Sequence, residues 1–176
     1  MRNYTGNLAA GKEKTKNLVL TAMFAALVFV ATAYILHIPT QNGYIHIGDA
    51  FIYMAASILP APYAVAAGAI GAALSDGLTG YAIWVLPSIL IKSATAAVFT
   101  SKHRTILCRR NLLACAAALG LCAGGYYVAE GILYGNFISA LASIPTNILQ
   151  AVVSIIIYGI IGFALDRLKF KEKIYR

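Results

Sequence analysis

Charge is scarce in this sequence. Asp, Glu, Lys and Arg together make up 11% of its 176 residues, against about 25% in an ordinary soluble domain. Hydrophobic residues make up 60%, far more than a water-facing exterior can hide. The uncharged runs locate the problem: Leu18–Leu36 (19 residues), Leu112–Ala129 (18) and Gly131–Leu165 (35). A helix needs about 20 apolar residues to cross the hydrocarbon core of a bilayer. The composition therefore excludes a soluble globular domain and predicts an all-α integral membrane protein.

Other scarcities exclude chemistry. Only three cysteines occur, Cys108, Cys115 and Cys122. They recur every seven residues along one face of a hydrophobic segment, without the short-loop pairing that a metal site needs, and they read as small core residues. Three histidines are present; His37 and His46 are separated by a loop with Pro39 and Gly43, and His103 falls on the opposite side of the membrane. No metal or other cofactor is expected. No Ser/His/Asp or Cys/His arrangement has a diagnostic spacing, so no enzyme is expected. The run Gly6-Asn-Leu-Ala-Ala-Gly11-Lys12 imitates a phosphate-binding loop. Glu13 stands where Ser or Thr must hold magnesium, and no strand precedes it. The chain is expected to have no ATPase of its own.

What charge there is has a pattern. The net charge is +8, and the basic residues gather in three clusters. Arg2, Lys12, Lys14 and Lys16 precede the first hydrophobic run; Lys102, Arg104, Arg109 and Arg110 lie mid-chain; Arg167, Lys169, Lys171, Lys173 and Arg176 follow the last run. All three flank spans, as the positive-inside rule requires, which removes the reason to invoke a nucleic-acid partner. With every cluster on the cytoplasmic side, the chain crosses six times: at about 17–36, 49–59, 63–79, 86–101, 111–133 and 145–166. Leu18–Leu36 is longer than a signal-peptide core and no small-residue cleavage site follows, so it reads as the first transmembrane helix. Residues 1–16 and 167–176 are then basic cytoplasmic tails around a transmembrane domain of residues 17–166, in a multi-pass protein of the plasma membrane. The N-terminal tail is expected to be mobile.

Prolines set the boundaries. Pro60 and Pro62 break the 26 uncharged residues between Asp49 and Asp76 into two helices with a tight inner turn. Ser143-Ile-Pro145 predicts a helix start with Ser143 as N-cap, and Pro87 predicts another. The second span is too short to cross as an independent helix and needs shielding by its neighbours. Segments 78–86 and 134–142 become outer loops, with Tyr81, Trp84, Tyr134 and Phe137 at the level of an interfacial aromatic belt.

Ionisable residues inside spans are costly, and usually face a partner or a cavity. Asp49, Asp76, Lys92 and Glu130 are such residues, and Asn147 and Gln150 share one face of the sixth helix. They come from five different helices, yet on this topology all six fall in the outer third of the membrane. Two readings stand. In one, they line a polar pocket open to the outside and roofed by the aromatic loops. In the other, they are caps and collars, with Lys92 paired to Asp76 or Glu130 and Asp49 stabilised by its helix dipole. A proton or ion relay needs acidic groups through the bilayer's depth, and the inner half offers none. Small-residue pairs Ala22/Ala26, Gly68/Ala72 and Gly120/Gly124 allow close helix approach.

The run GYIHIGDAFIYMAASILPAPYAVAAGAIGAALSDGLTGYAIWVLPSILIKSATA, with the later GYYVAEGILYGN and IPTNILQ, resembles the substrate-binding S component of energy-coupling factor (ECF) transporters. The likeness is greatest to the branch holding riboflavin, pyridoxine and hydroxymethylpyrimidine S components. The resemblance implies six helices and an outer site for a vitamin-like small molecule. It implies partners too: a membrane coupling subunit and two cytoplasmic ATPases. It also implies gating by the loops after helices one and three, with Gly43–Ile47 ending the first and Asp49 and Asp76 at the rim. Ala22 and Ala26 match the family's contact with the coupling subunit. Lys92, Glu130, Asn147 and Gln150 suit a small pyridine or pyrimidine heterocycle; Trp84, Tyr81 and the Tyr126–Tyr127 pair could stack on its ring, and His46 could reach it. A stand-alone small-solute carrier or channel is the alternative.

Overall fold

A computed structural model of the chain describes residues 2–40 and 44–175. Gly43 of the outer loop, and Met1 and Arg176 of the two basic tails, lie outside the described residues. The first helix, α1, runs Arg2–Val30 and continues as a π-helical turn over Ala31–Ile35. The helical backbone thus extends back through the basic segment that the sequence leaves as a tail. After α1 a two-residue antiparallel hairpin pairs β1 (Ile38–Pro39) with β2 (Tyr44–Ile45), a small departure from an all-α fold.

The predicted second to fourth spans form α2 (Gly48–Ile58), α3 (Ala61–Leu78) and α4 (Val85–Ala97), of 11, 18 and 13 residues. Then come α5 (Arg109–Leu133), the short α6 (Phe137–Ala140), α7 (Ile144–Arg167) and α8 (Phe170–Ile174). Three helices among the described residues have the length and composition to cross a membrane: Gly11–Ile35, Arg109–Leu133 and Phe137–Arg167.

Local chemistry explains most boundaries. Pro60 adopts an extended backbone that ends α2, and Pro62 occupies the first turn of α3, where its missing N–H costs nothing. Pro145 does the same for α7. Ser143 does not cap that helix: it lies in a 3₁₀ turn, and its hydroxyl donates back to the Ala140 carbonyl at 2.8 Å. The cap appears earlier, where Asn136 Oδ1 accepts from the amides of Ile138 and Ser139 and starts α6 in a segment read as loop.

Helix α2 is the centre of the bundle, packed by α1, α3, α4 and α7, and every residue in it except Phe51 is buried. At 1.5 Å per residue it spans about 16 Å, roughly half the hydrocarbon thickness; its neighbours shield it. The lipid-facing exterior is apolar, with Leu18, Met23, Leu27, Leu113, Ile156, Ile160 and Phe163 exposed. Polar side chains turn inward instead, the inverse of a soluble protein. Close packing of α1 on α3 depends on Gly71, where a Cβ would lie 2.6 Å from Val28 Cβ and 2.8 Å from the Ala25 carbonyl oxygen. Gly68 packs on Ile52, and Ala72 is buried, but Gly120 and Gly124 face open space. That last pair does not serve as a close-approach face within the chain.

The end carrying the 98–108 loop is tied by polar side chains. Asn111 Nδ2 donates to Ser57 Oγ and to the carbonyls of Thr100 and Ile106, and its Oδ1 accepts from Thr100 N. Asp166 accepts from Ile106 N at 2.7 Å and Leu107 N at 3.0 Å. Lys171 of α8, only 7% exposed, donates to the carbonyls of Ser57, Ser101 and His103 at 2.6–2.8 Å. The basic C-terminal segment is therefore partly a structural plug. All three cysteines are free and buried.

Candidate ligand-binding site

At the opposite end the hairpin, α3, α4, α5 and α7 enclose a cavity of about 230 Å³. Tyr44, Ile45 and His46 come from β2 and the link to α2; Asp76 lies in the last turn of α3; Trp84 directly precedes α4 and Ser88 lies in its first turn. Tyr126 and Glu130, four apart on α5, and Ser143, Thr146, Asn147 and Gln150 at the start of α7 complete the wall.

One side is aromatic. Trp84 lies 5.8 Å from Tyr126 and 6.3 Å from Tyr134, centroid to centroid. Tyr126 OH is 3.0 Å from Ser88 Oγ, and the Lys92 ammonium sits 4.8 Å from the centre of the Tyr126 ring. Trp84 and Tyr126 thus put two aromatic residues on the cavity wall.

The other side is polar, and Tyr44 of the hairpin lies on it. Tyr44 stacks on His37 at 4.1 Å, packs against Tyr81 at 4.6 Å, and donates its hydroxyl proton to Asp76 Oδ1. Burial and the neighbouring Asp76 carboxylate push the Tyr44 phenol up, so it stays a donor. One side chain thereby joins the loop after α1 to the end of α3.

Beneath the cavity lies a buried ion pair. Lys92 Nζ is 2.7 Å from Asp49 Oδ1 and 3.0 Å from Oδ2, with the side chains 2% and 1% exposed. Lys92 thus pairs with Asp49, a partner that the sequence reading did not name. Gln150 Nε2 donates to Asp49 Oδ2 at 3.3 Å, while Gln150 Oε1 accepts from His46 N at 3.2 Å. Cys122 Sγ completes the shell, 3.9 Å from Asp49 Oδ2. Asp49 therefore does more than collar α2: it joins α2, α4, α5 and α7 at one point.

A family model described as "ECF-type riboflavin transporter, S component" matches residues 12–167. The chain belongs to this family. Such S components are membrane-embedded and transport-related rather than enzymatic: they bind a small-molecule substrate and associate with an ECF module. This S component is also 31% identical over 136 residues to a Pyrococcus woesei chain described as "Uncharacterized protein in gap 3'region", covering 74% of this chain and 87% of that one.

The residues singled out in the sequence distribute unevenly in the S component. Glu130, Asn147, Gln150, Trp84, His46 and Asp76 line the cavity together. Lys92 and Asp49 lie under it. Tyr127 is not among the lining residues; its ring packs edge-on against Phe137 at 5.8 Å, and its neighbour Tyr126 presents the ring at the cavity. Ala22 and Ala26 are exposed on the outer face of α1, away from the cavity. Sequence reasoning passed over Ser88, Thr146 and Tyr44. The first two carried a usable signal, each lying four residues before a polar residue already singled out, Lys92 and Gln150, on the same helical face.

Proposed function

We propose that this S component crosses the plasma membrane six times with both termini cytoplasmic, and that its cavity opens to the outside. There it captures a flat, vitamin-like heterocycle, a vitamin or a vitamin precursor. It passes that ligand to a membrane coupling subunit powered by two cytoplasmic ATPases. The observation that carries the reading is the cavity itself: Trp84 and Tyr126 form one wall, and Glu130, Asn147, Gln150 and His46 supply polar contacts. A mostly apolar cleft with a few placed polar groups is how proteins hold small ring systems. At about 230 Å³ it is smaller than the roughly 300–1,000 Å³ of a typical drug-sized site. That size favours a one- or two-ring ligand such as a pyridine or pyrimidine alcohol.

A second reading is riboflavin itself, favoured by the family's riboflavin-transporter description; its third ring and sugar-alcohol chain require the hairpin at Tyr44 to stand further out. The retained molecule decides between the two. Protein purified from its native membrane, denatured and subjected to mass spectrometry, releases a small pyridine or pyrimidine on the first reading and a flavin on the second. Co-purification with two ATPases and a coupling protein is expected on either. Uptake by this chain alone that survives ATP depletion refutes both, in favour of a stand-alone carrier.

A further inference from the structure

Resting on the reading of the cavity as a ligand site, we propose that His46 is held there as a neutral imidazole whose Nε2–H is a ligand-reading donor, selecting ligands that present a hydrogen-bond acceptor to it.

The orientation is fixed by a chain of bonds beginning at the buried ion pair. An ammonium can only donate, and a carboxylate can only accept. Asp49, bonded by Lys92, therefore requires the Gln150 amide nitrogen to face it at 3.3 Å. This leaves Gln150 Oε1 for the backbone N–H of His46 at 3.2 Å, which pins the residue. The ring is oriented separately. Gly48 N donates to His46 Nδ1 at 3.1 Å, so Nδ1 must carry a lone pair, and in a neutral imidazole the proton then resides on Nε2. His46 is among the residues that line the cavity, and its Nε2 bonds to no described residue.

Charged and titratable groups surround the ring from several elements. Asp49 on α2 favours an imidazolium; Lys92 on α4 and His37 after α1 oppose it. Tyr44 packs 5.5 Å away, and Asp76 and Glu130 line the same cavity. Burial outweighs them all and pushes the imidazole down to about 3. Protonation would also break the Gly48 bond, since an imidazolium has no lone pair for it. A ligand carbonyl oxygen or pyridine-type nitrogen matches the Nε2–H; a group that can only donate does not.

Two measurements test this separately from the function. Long-range ¹H–¹⁵N spectra of the labelled full chain in nanodiscs, assigned with His46→Gln, read the tautomer without any ligand. A protonated Nε2 and bare Nδ1, unchanged from pH 5 to 8, is the expected result. An Nδ1–H tautomer, or titration within that range, overturns the proposal whatever the ligand. Binding of riboflavin and of pyridoxine is then read from quenching of Trp84, the sole tryptophan. For whichever binds, His46→Phe lowers affinity at least about tenfold, while His46→Gln, with an amide N–H near Nε2, retains affinity within about threefold. Undiminished binding by His46→Phe overturns the donor role. If wild type binds neither and retains no small molecule, the ligand-site reading fails instead, and the donor role falls with it, while the tautomer result stands.

Discussion

Removing the ammonium of Lys92 is the most informative single perturbation of this molecule. In Lys92→Met the methylene stem is largely preserved, but Asp49 loses its contacts at 2.7 and 3.0 Å and keeps only the Gln150 amide at 3.3 Å and the weak Cys122 thiol. The carboxylate is 1% exposed, so water cannot replace the missing cation. Breaking a buried pair by deleting one partner costs about 3–5 kcal/mol, because a charge is stranded. Asp49→Asn combined with Lys92→Met removes both charges, and apolar or neutral replacement of a whole pair is close to neutral. The double variant is therefore expected to be more stable than Lys92→Met alone by about 2 kcal/mol or more. SDS-induced unfolding in mixed micelles, followed by Trp84 fluorescence, measures both variants against the unaltered protein. If Lys92→Met costs less than about 1 kcal/mol, or the double variant is the least stable, the pair does not hold the helices as described. Ligand retention, followed in parallel, should fall in Lys92→Met, since Gln150 loses the anchor that aims it.

Other outcomes are expected elsewhere in the chain. Lys171→Met strands the carbonyls of Ser57, Ser101 and His103, and should cost about 2–4 kcal/mol; limited proteolysis within residues 99–108 should accelerate. Gly71→Ala must push α1 from α3 and should destabilise by about 1–3 kcal/mol, whereas Gly120→Ala, which meets open space, should change stability by less than about 0.5 kcal/mol; equal effects would refute the packing argument. The paired change Ala22→Trp and Ala26→Trp should leave ligand binding intact and abolish co-purification with the coupling subunit.

The helices were largely legible because their signals are local. Apolar runs and the Pro60/Pro62 break place α2 and α3 within two residues of the expected limits. The gathering of Glu130, Asn147, Gln150 and Trp84 on one cavity was legible too, since the span order expected from the sequence sets them at one level. Helix rotation is what sequence order leaves open. Lys92 could meet Asp76, Glu130 or Asp49 at similar depth, and only the packing of α2 against α4 selects Asp49. Tyr126 and Tyr127 differ by about 100° around α5, so the choice of which faces the cavity has the same origin. The C-terminal plug was illegible for another reason: Lys171 sits in a run of alternating lysines that matches a solvated tail, and its three acceptors are backbone carbonyls, which have no sequence signature.

That plug bears on the order in which the chain can be completed. The carbonyls of Ser57, Ser101 and His103 are synthesised 114, 70 and 68 residues before the ammonium that satisfies them. Backbone groups left unpaired in hydrocarbon cost several kcal/mol each, so until Lys171 emerges they must be kept hydrated at the membrane surface. The turn at Pro60 and the 98–108 loop are thus expected to remain wet through most of insertion. Lys171, made after all three of its acceptors, is the group that dries and closes this end of the bundle.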